Sequence, residues 1–205
     1  RGTVKSSFKA FFFNKISDVF LFIFLVILNY LTYLNNLNLI NIKFFSLFVN
    51  FSNMYNLAAL TLFLCTLLKS AQLIGHLWLP DSMEAPVPAS ALIHSATLVS
   101  AGVYLLLRFT PLVTATNLQV AALIVGSITA AYGGVVSASQ TDMKKLLAYS
   151  TISHCGFLFV TIGTQFYYAS IIYLFLHGLF KASTFFCAGS FIRVAGSQDT
   201  RNMGN

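Results

Sequence analysis

Residues 59–80 read ALTLFLCTLLKSAQLIGHLWLP, an apolar run that carries one lysine, Lys69, and closes on a proline. Counted from Asn53, the run is long enough to cross a bilayer, which takes about 20 largely apolar residues, and Lys69 lies deep within it. A lysine at mid-membrane costs about 2.5–3.5 kcal/mol on insertion scales, and ionisable groups inside a membrane mark function by default. The competing reading is a lysine at a helix end whose stem reaches back to the interface. A helix break expected late in the run, at LIGHLWLP, leaves that reading open. Directly afterwards, LPDSMEAPVP holds three of the four prolines and two of the five acids. It predicts a turn between two membrane helices, with Asp81 and Glu84 solvated or bonded to loop amides.

Composition extends this reading to the whole chain. The 205 residues are 57% hydrophobic and 8% charged, with a mean hydropathy of +0.79. Soluble domains carry about 25% charged residues, so this chain cannot cover a water-facing surface. The fold class is an all-α polytopic membrane protein with about six transmembrane helices. The expected spans are roughly 16–34, 53–78, 87–109, 118–138, 146–162 and 167–194, with an Asn-rich loop at 35–41. The fourth, with GSITAAYGGVVSAS, is rich in the small residues that allow close helix packing.

Charge placement orients the six crossings. With side A as the side of the first residues, Arg1, Lys5, Lys9, Lys15, Lys144, Lys145, Arg193 and Arg201 fall on it, and only Lys43 and Arg108 on the other. Basic residues collect on the cytoplasmic or matrix face, so side A is that face. The same placement, at the ends of apolar runs, argues against a nucleic-acid surface despite the net charge of +7. Cys65, Cys155 and Cys187 have no metal-ligand or disulfide spacing and read as small hydrophobes. No phosphate loop or dinucleotide fingerprint is present. The Phe, Asn, Ile, Leu and Lys bias of the first sixty residues is that of an AT-rich genome and hints at an organelle.

Further ionisable groups fall inside the spans. His94 shares a helix face with Ser90, Thr97 and Tyr104, and reads equally as a core histidine or a proton carrier. Tyr173, His177 and Lys181 are spaced four apart and stack on one face of the sixth helix, with Lys181 far from either end. Their alternative is a structural polar ladder, and the relay reading is preferred. Asp142 begins the fifth helix as a cap or dipole partner. Lys144 and Lys145 follow it, then Ser150, Ser153 and His154. Lys144 is a relay candidate and Lys145 a topology signal. Lys15 and Asp18 read as an anchoring pair at the start of the first span, and His76 as an interfacial histidine in the break.

KSAQLIGHLWLPDSMEAPVPASALIHSATLVSAGVYLLLR (69–108) closely resembles the central signature of the antiporter-like membrane subunits of respiratory complex I. QTDMKKLLAYSTISHCGFLF, HGLFKASTFFCAGS and GSQDTRNMG follow in that family's order, and KAFFFNKISDVFL precedes them. The resemblance implies helices six to eleven of a fold built from two inverted repeats with a broken helix. Residues 1–110 would end the first repeat and 111–205 begin the second. It further implies a proton relay of Lys69, His94, Lys144, His177 and Lys181, supported by Asp142. Tyr173 stands where many relatives have a further histidine. NADH, FMN, iron–sulfur clusters and ubiquinone would all be bound elsewhere in the complex, with no cofactor in this chain. Lys69's acidic partner would lie on a helix before residue 1, and the path's terminus on a helix after residue 205. The chain is therefore expected to be a fragment, completed by other membrane-arm chains. Its location would be the mitochondrial inner membrane, N-terminus on the matrix side, among lipids and other complex I subunits. The alternative is a subunit of a multi-subunit sodium/proton antiporter, which shares the MEAPVPAS and HSAT patterns.

Overall fold

The computed structural model describes residues 2–34, 52–95 and 97–203. The expected 35–41 loop, Lys43 and the chain ends Arg1 and Asn205 lie outside the described residues. Among those described, α-helices run α1 (Gly2–Leu34), α2 (Ser52–Lys69), α3 (Trp78–Asp81), α4 (Val87–Ser95), α5 (Leu98–Arg108), α6 (Thr110–Ala115), α7 (Leu118–Ser139), α8 (Met143–Gly163) and α9 (Tyr167–Ala195). No strand occurs among them, only an isolated bridge between Asp142 and Asp199. In lipid the backbone must satisfy its own polar groups, which leaves helices as the solution for an apolar chain of this kind.

Five helical stretches among the described residues are long and apolar enough to cross a membrane: Thr3–Leu31, Val87–Arg108 across the α4–α5 join, Leu118–Ser139, Met143–Gly163 and Tyr167–Ala195. The 18 residues of α2 add about 27 Å at 1.5 Å per residue. Asn53, Asn56 and Lys69 make α2 more polar than the other five. It runs antiparallel to α1, since Phe24, Leu28 and Leu31 late in α1 cluster with Tyr55, Ala58 and Leu62 early in α2. Phe8, Phe22, Phe175, Phe180 and Phe191 all point outward, as side chains meeting lipid or a neighbouring helix do.

The helix boundaries differ from expectation in three places. The first helix starts at Gly2 rather than Ile16, so Asp18 sits near its middle. The second ends at Lys69, ahead of the expected break. The third is two helices, α4 and α5, and Tyr104 faces outward at 58% exposure. Of the stripe read through Ser90, His94, Thr97 and Tyr104, the first two are buried and the last two exposed.

One end of the bundle gathers the elements assigned to side A. Lys9 of α1 pairs with Asp81 at 2.5 Å, and the Ser6 hydroxyl donates to Glu84 at 3.2 Å. Both acids of the turn are thus held by α1, not merely solvated. Entry to α8 is pinned by the segment after α9: Met143 N–H donates to Gln198 O and Thr200 N–H to Thr141 O. Gly196 makes that exit possible, closing α9 in the left-handed conformation at φ 68°.

Candidate functional site: a chain of buried lysines and histidines

The break after Lys69 builds the first part of the site. Lys69 is the last residue of α2, where the helix dipole favours a cation. Ala71 then takes φ 51°, a conformation a non-glycine residue adopts at a cost of about 1–3 kcal/mol. The carbonyls released by the break find donors: Ser70 N–H and hydroxyl to Thr66 O, Gln72 N–H to Leu67 O, and the Trp78 indole to Leu68 O. Gly102 of α5 lies against this turn so closely that a Cβ would be 2.9 Å from Ser70 N and Thr66 O.

Lys69 is held by an acid the sequence reading placed elsewhere. Its Nζ pairs with Asp18 Oδ1 of α1 at 2.7 Å. Lys15, the expected partner of Asp18, instead lies over the Phe11 ring. The ammonium is mostly covered while the carboxylate is 48% exposed. That open side belongs to a residue midway along an apolar helix, so it calls for protein or water and not acyl chains.

A second group surrounds the 78–85 turn. His94 is fully buried on α4; its Nε2 shares a 3.0 Å hydrogen bond with the Ser82 hydroxyl, and its ring stacks on Phe185 of α9. Its Nδ1 has no hydrogen-bond partner among the described residues. Lys144, also buried, donates to Ala85 O at 3.2 Å. Asp142 occupies the N-cap position of α8, yet its side chain makes no cap bond and pairs with Lys145 at 2.9 Å. The carboxylate therefore neither caps the helix nor pairs with Lys144. A cleft of about 290 Å³ opens here, lined by Asp81, Glu84, Asp142, Lys144, Lys145 and Gln198. Lys69 and His94 do not bond each other; the turn joins them through the chain only.

The third group lies between α8 and α9. Tyr173, His177 and Lys181 do share a face: His177 and Lys181 are buried, and Tyr173 half-buried. Lys181 Nζ donates to the Ser150 hydroxyl at 2.6 Å, and Tyr173 OH meets His154 Nδ1 at 2.5 Å. The His154 and His177 rings are 5.6 Å apart. Neither nitrogen of His177 is hydrogen-bonded among the described residues. The ring borders a cavity of about 670 Å³ together with His154, Tyr173 and Ser183. A buried imidazole normally has a partner, so this one is available to water or to a further group.

Sequence reasoning named every lysine and histidine of these groups. It gave Asp18 to Lys15 and not to Lys69, and missed Ser82 and the pairing of His154 with Tyr173. Asp18 had a signal, an acid within KISDVFLFIFLV; the other two depend on tertiary contacts that no spacing announces.

Across residues 1–205 the chain matches the family described as NADH:quinone oxidoreductase/Mrp antiporter, TM. The chain belongs to that family. It is 47% identical to NADH-ubiquinone oxidoreductase chain 5 of Paramecium tetraurelia, over 99% of this chain and 37% of the relative. Against NADH-quinone oxidoreductase subunit L of Rhodobacter capsulatus it is 45% identical, over 72% of this chain and 21% of the relative. A chain of the Mrp complex from Dietzia sp. DQ12-45-1b superposes with a TM-score of 0.85 and 31% identity, covering 94% of this chain and 22% of that one. The chain thus spans little more than a third, or less, of the length of these members. As a member of this family it is a multi-pass membrane protein with an antiporter-like fold.

Proposed function

We propose that the chain is part of the proton-translocating subunit 5 of a mitochondrial NADH:ubiquinone oxidoreductase. The observation that carries this is the set of buried lysines and histidines inside apolar helices of a chain 47% identical, over nearly its whole length, to a chain 5. The subunit sits in the inner membrane with its N-terminal side toward the matrix. Residues 1–110 close one inverted repeat and 111–205 open the next. The redox groups act in other subunits; this chain's residues move protons.

The relay runs through Lys69, His94, His177 and Lys181, with Lys144 feeding or tuning it and Asp142 in support. Asp18 Oδ1 holds the Lys69 ammonium at 2.7 Å, and drawing the carboxylate away leaves that ammonium without its counter-ion. His94 and His177 each keep at least one ring nitrogen without a partner among the described residues, so each can accept a proton and pass it on. Lys181, beside the Ser150 hydroxyl, receives it. Lys144 stands at the base of the side-A cleft, where water has access. The exposed face of Asp18 and the open side of His177 are covered by the rest of the subunit or by neighbouring membrane-arm chains.

Lys69→Met in the assembled complex tests this. Proton pumping should fall below a tenth of the parent, about 1.4 kcal/mol per tenfold, while NADH oxidation by the hydrophilic arm persists. Unchanged pumping would remove Lys69 from the mechanism. The likeness to a chain of an Mrp complex favours a second reading, a subunit of a multi-subunit sodium/proton antiporter. Purification decides between them: iron–sulfur subunits accompany the chain in the first case and are absent in the second.

A further inference from the structure

The break that ends α2 is gripped from outside by one face of α7. Gln72, wholly buried one residue after the strained Ala71, accepts a 2.6 Å hydrogen bond from the Thr129 hydroxyl at its Oε1. Four residues on, His76 Nε2 lies 3.3 Å from Tyr132 OH, with the two rings edge to face at 5.1 Å. His76 Nδ1 is taken by Leu73 O of the same turn. Thr129 and Tyr132 are three apart on α7 and so share a face. A residue 4 and a residue 3 apart, on facing elements, make a matched two-point contact.

What α7 is attached to gives the contact its meaning. At Gly126, Gly133 and Gly156 an added Cβ would lie 2.6–2.8 Å from backbone or side-chain atoms of the facing helix, so α7 and α8 pack as one rigid body. That body carries Lys144, Ser150 (the partner of Lys181) and His154. The element on the other side of the contact carries Lys69.

We propose that Thr129 and Tyr132 are positioning residues: their bonds to Gln72 and His76 fix the break in α2, and with it the Asp18–Lys69 pair, in register with the relay groups on α8. This rests on the relay reading above. Lys69 bonds Asp18, while Thr129 and Tyr132 bond Gln72 and His76, so their effect is on where the ammonium is held, not on its chemistry. Loosening the break lets Ala71 relax from its strained conformation and moves the end of α2 away from Asp18.

The test uses the intact membrane complex with Thr129→Val, Thr129→Ser, Tyr132→Phe and Lys69→Met in parallel. Thr129→Val and Tyr132→Phe should lower protons pumped per NADH oxidised roughly three- to tenfold, a smaller loss than the roughly hundredfold that a 1 Å misplacement can cause. Thr129→Ser, which keeps the hydroxyl, should pump like the parent. A merely structural role would cut the amount of complex and leave the pumping ratio of what remains unchanged. If Thr129→Val prevents assembly, Tyr132→Phe decides alone, because it removes one half-buried hydroxyl and keeps the ring. Normal pumping ratios in Thr129→Val and Tyr132→Phe beside a defective Lys69→Met overturn the positioning role and leave the relay standing. Normal pumping in Lys69→Met overturns the relay, and this inference with it.

Discussion

At the scale of single residues, the Asp18–Lys69 pair is the strongest constraint on mechanism. A hydrogen bond to a charged group contributes about 1.5–3 kcal/mol, and water on the carboxylate side reduces that figure for a group 48% exposed. Asp18→Asn should therefore slow pumping by about tenfold or less, whereas Asp18→Glu, which can still reach Nζ, should retain most of it. Pumping into sealed vesicles at matched NADH oxidation rates measures both, and equal rates in Asp18→Asn and the parent would mean that the pair does not gate the lysine. His94, His177 and Lys181 were legible in the sequence because a charge or imidazole within an apolar run is visible without any fold. Asp18 was read with Lys15 because the two are one turn apart. Its true partner is 51 residues away, and only the antiparallel packing of α1 on α2 brings them together.

Elements carry a different kind of information. The order of the apolar helices followed from run lengths, with five of the six expected spans meeting the length and hydropathy of a crossing and α2 a more polar sixth, but the helix ends did not. No proline or glycine occupies residues 70–72 to announce the stop at Lys69; tertiary bonds from Trp78 and Thr129, and the close approach of Gly102, impose it. The small-residue stretch GSITAAYGGVVSAS predicted a tight helix contact, and α7 and α8 make it. At Gly156 a Cβ would stand 2.6 Å from Ala130 N and from Thr129 Oγ1. Gly156→Val should separate these helices at a cost of about 1–3 kcal/mol or more and lower the amount of assembled complex on native gels. Gly134 has only Ser153 Oγ within reach, at 3.9 Å, so Gly134→Ala should assemble like the parent. Similar abundance of the Gly156→Val complex would show that close packing at this point is dispensable.

For the whole molecule, orientation decides which compartment each end of the relay sees. On the proposed function, eight basic residues against two point to the matrix for the end that holds the start of α1, the 81–84 turn, the start of α8 and the exit from α9. Contacts place these four elements together: Lys9–Asp81, Ser6–Glu84, Lys144 to Ala85 O, and Met143 to Gln198 O. The exposed residue Thr114 on α6 belongs to the opposite end, between the exits of α5 and the start of α7. Single cysteines at these two positions report the assignment with a membrane-impermeant maleimide. Thr114→Cys should label in mitoplasts, whose outer membrane is open. Gln198→Cys should label only after the inner membrane is permeabilised. The native thiols give little background, as Cys65 and Cys155 are buried and Cys187, exposed on the apolar α9, faces lipid or a neighbouring chain and not the aqueous reagent. The reverse labelling pattern would turn the molecule over. The cleft beneath Asp81 and Asp142 would then open to the intermembrane space, making Lys144 an exit for protons and not an entry.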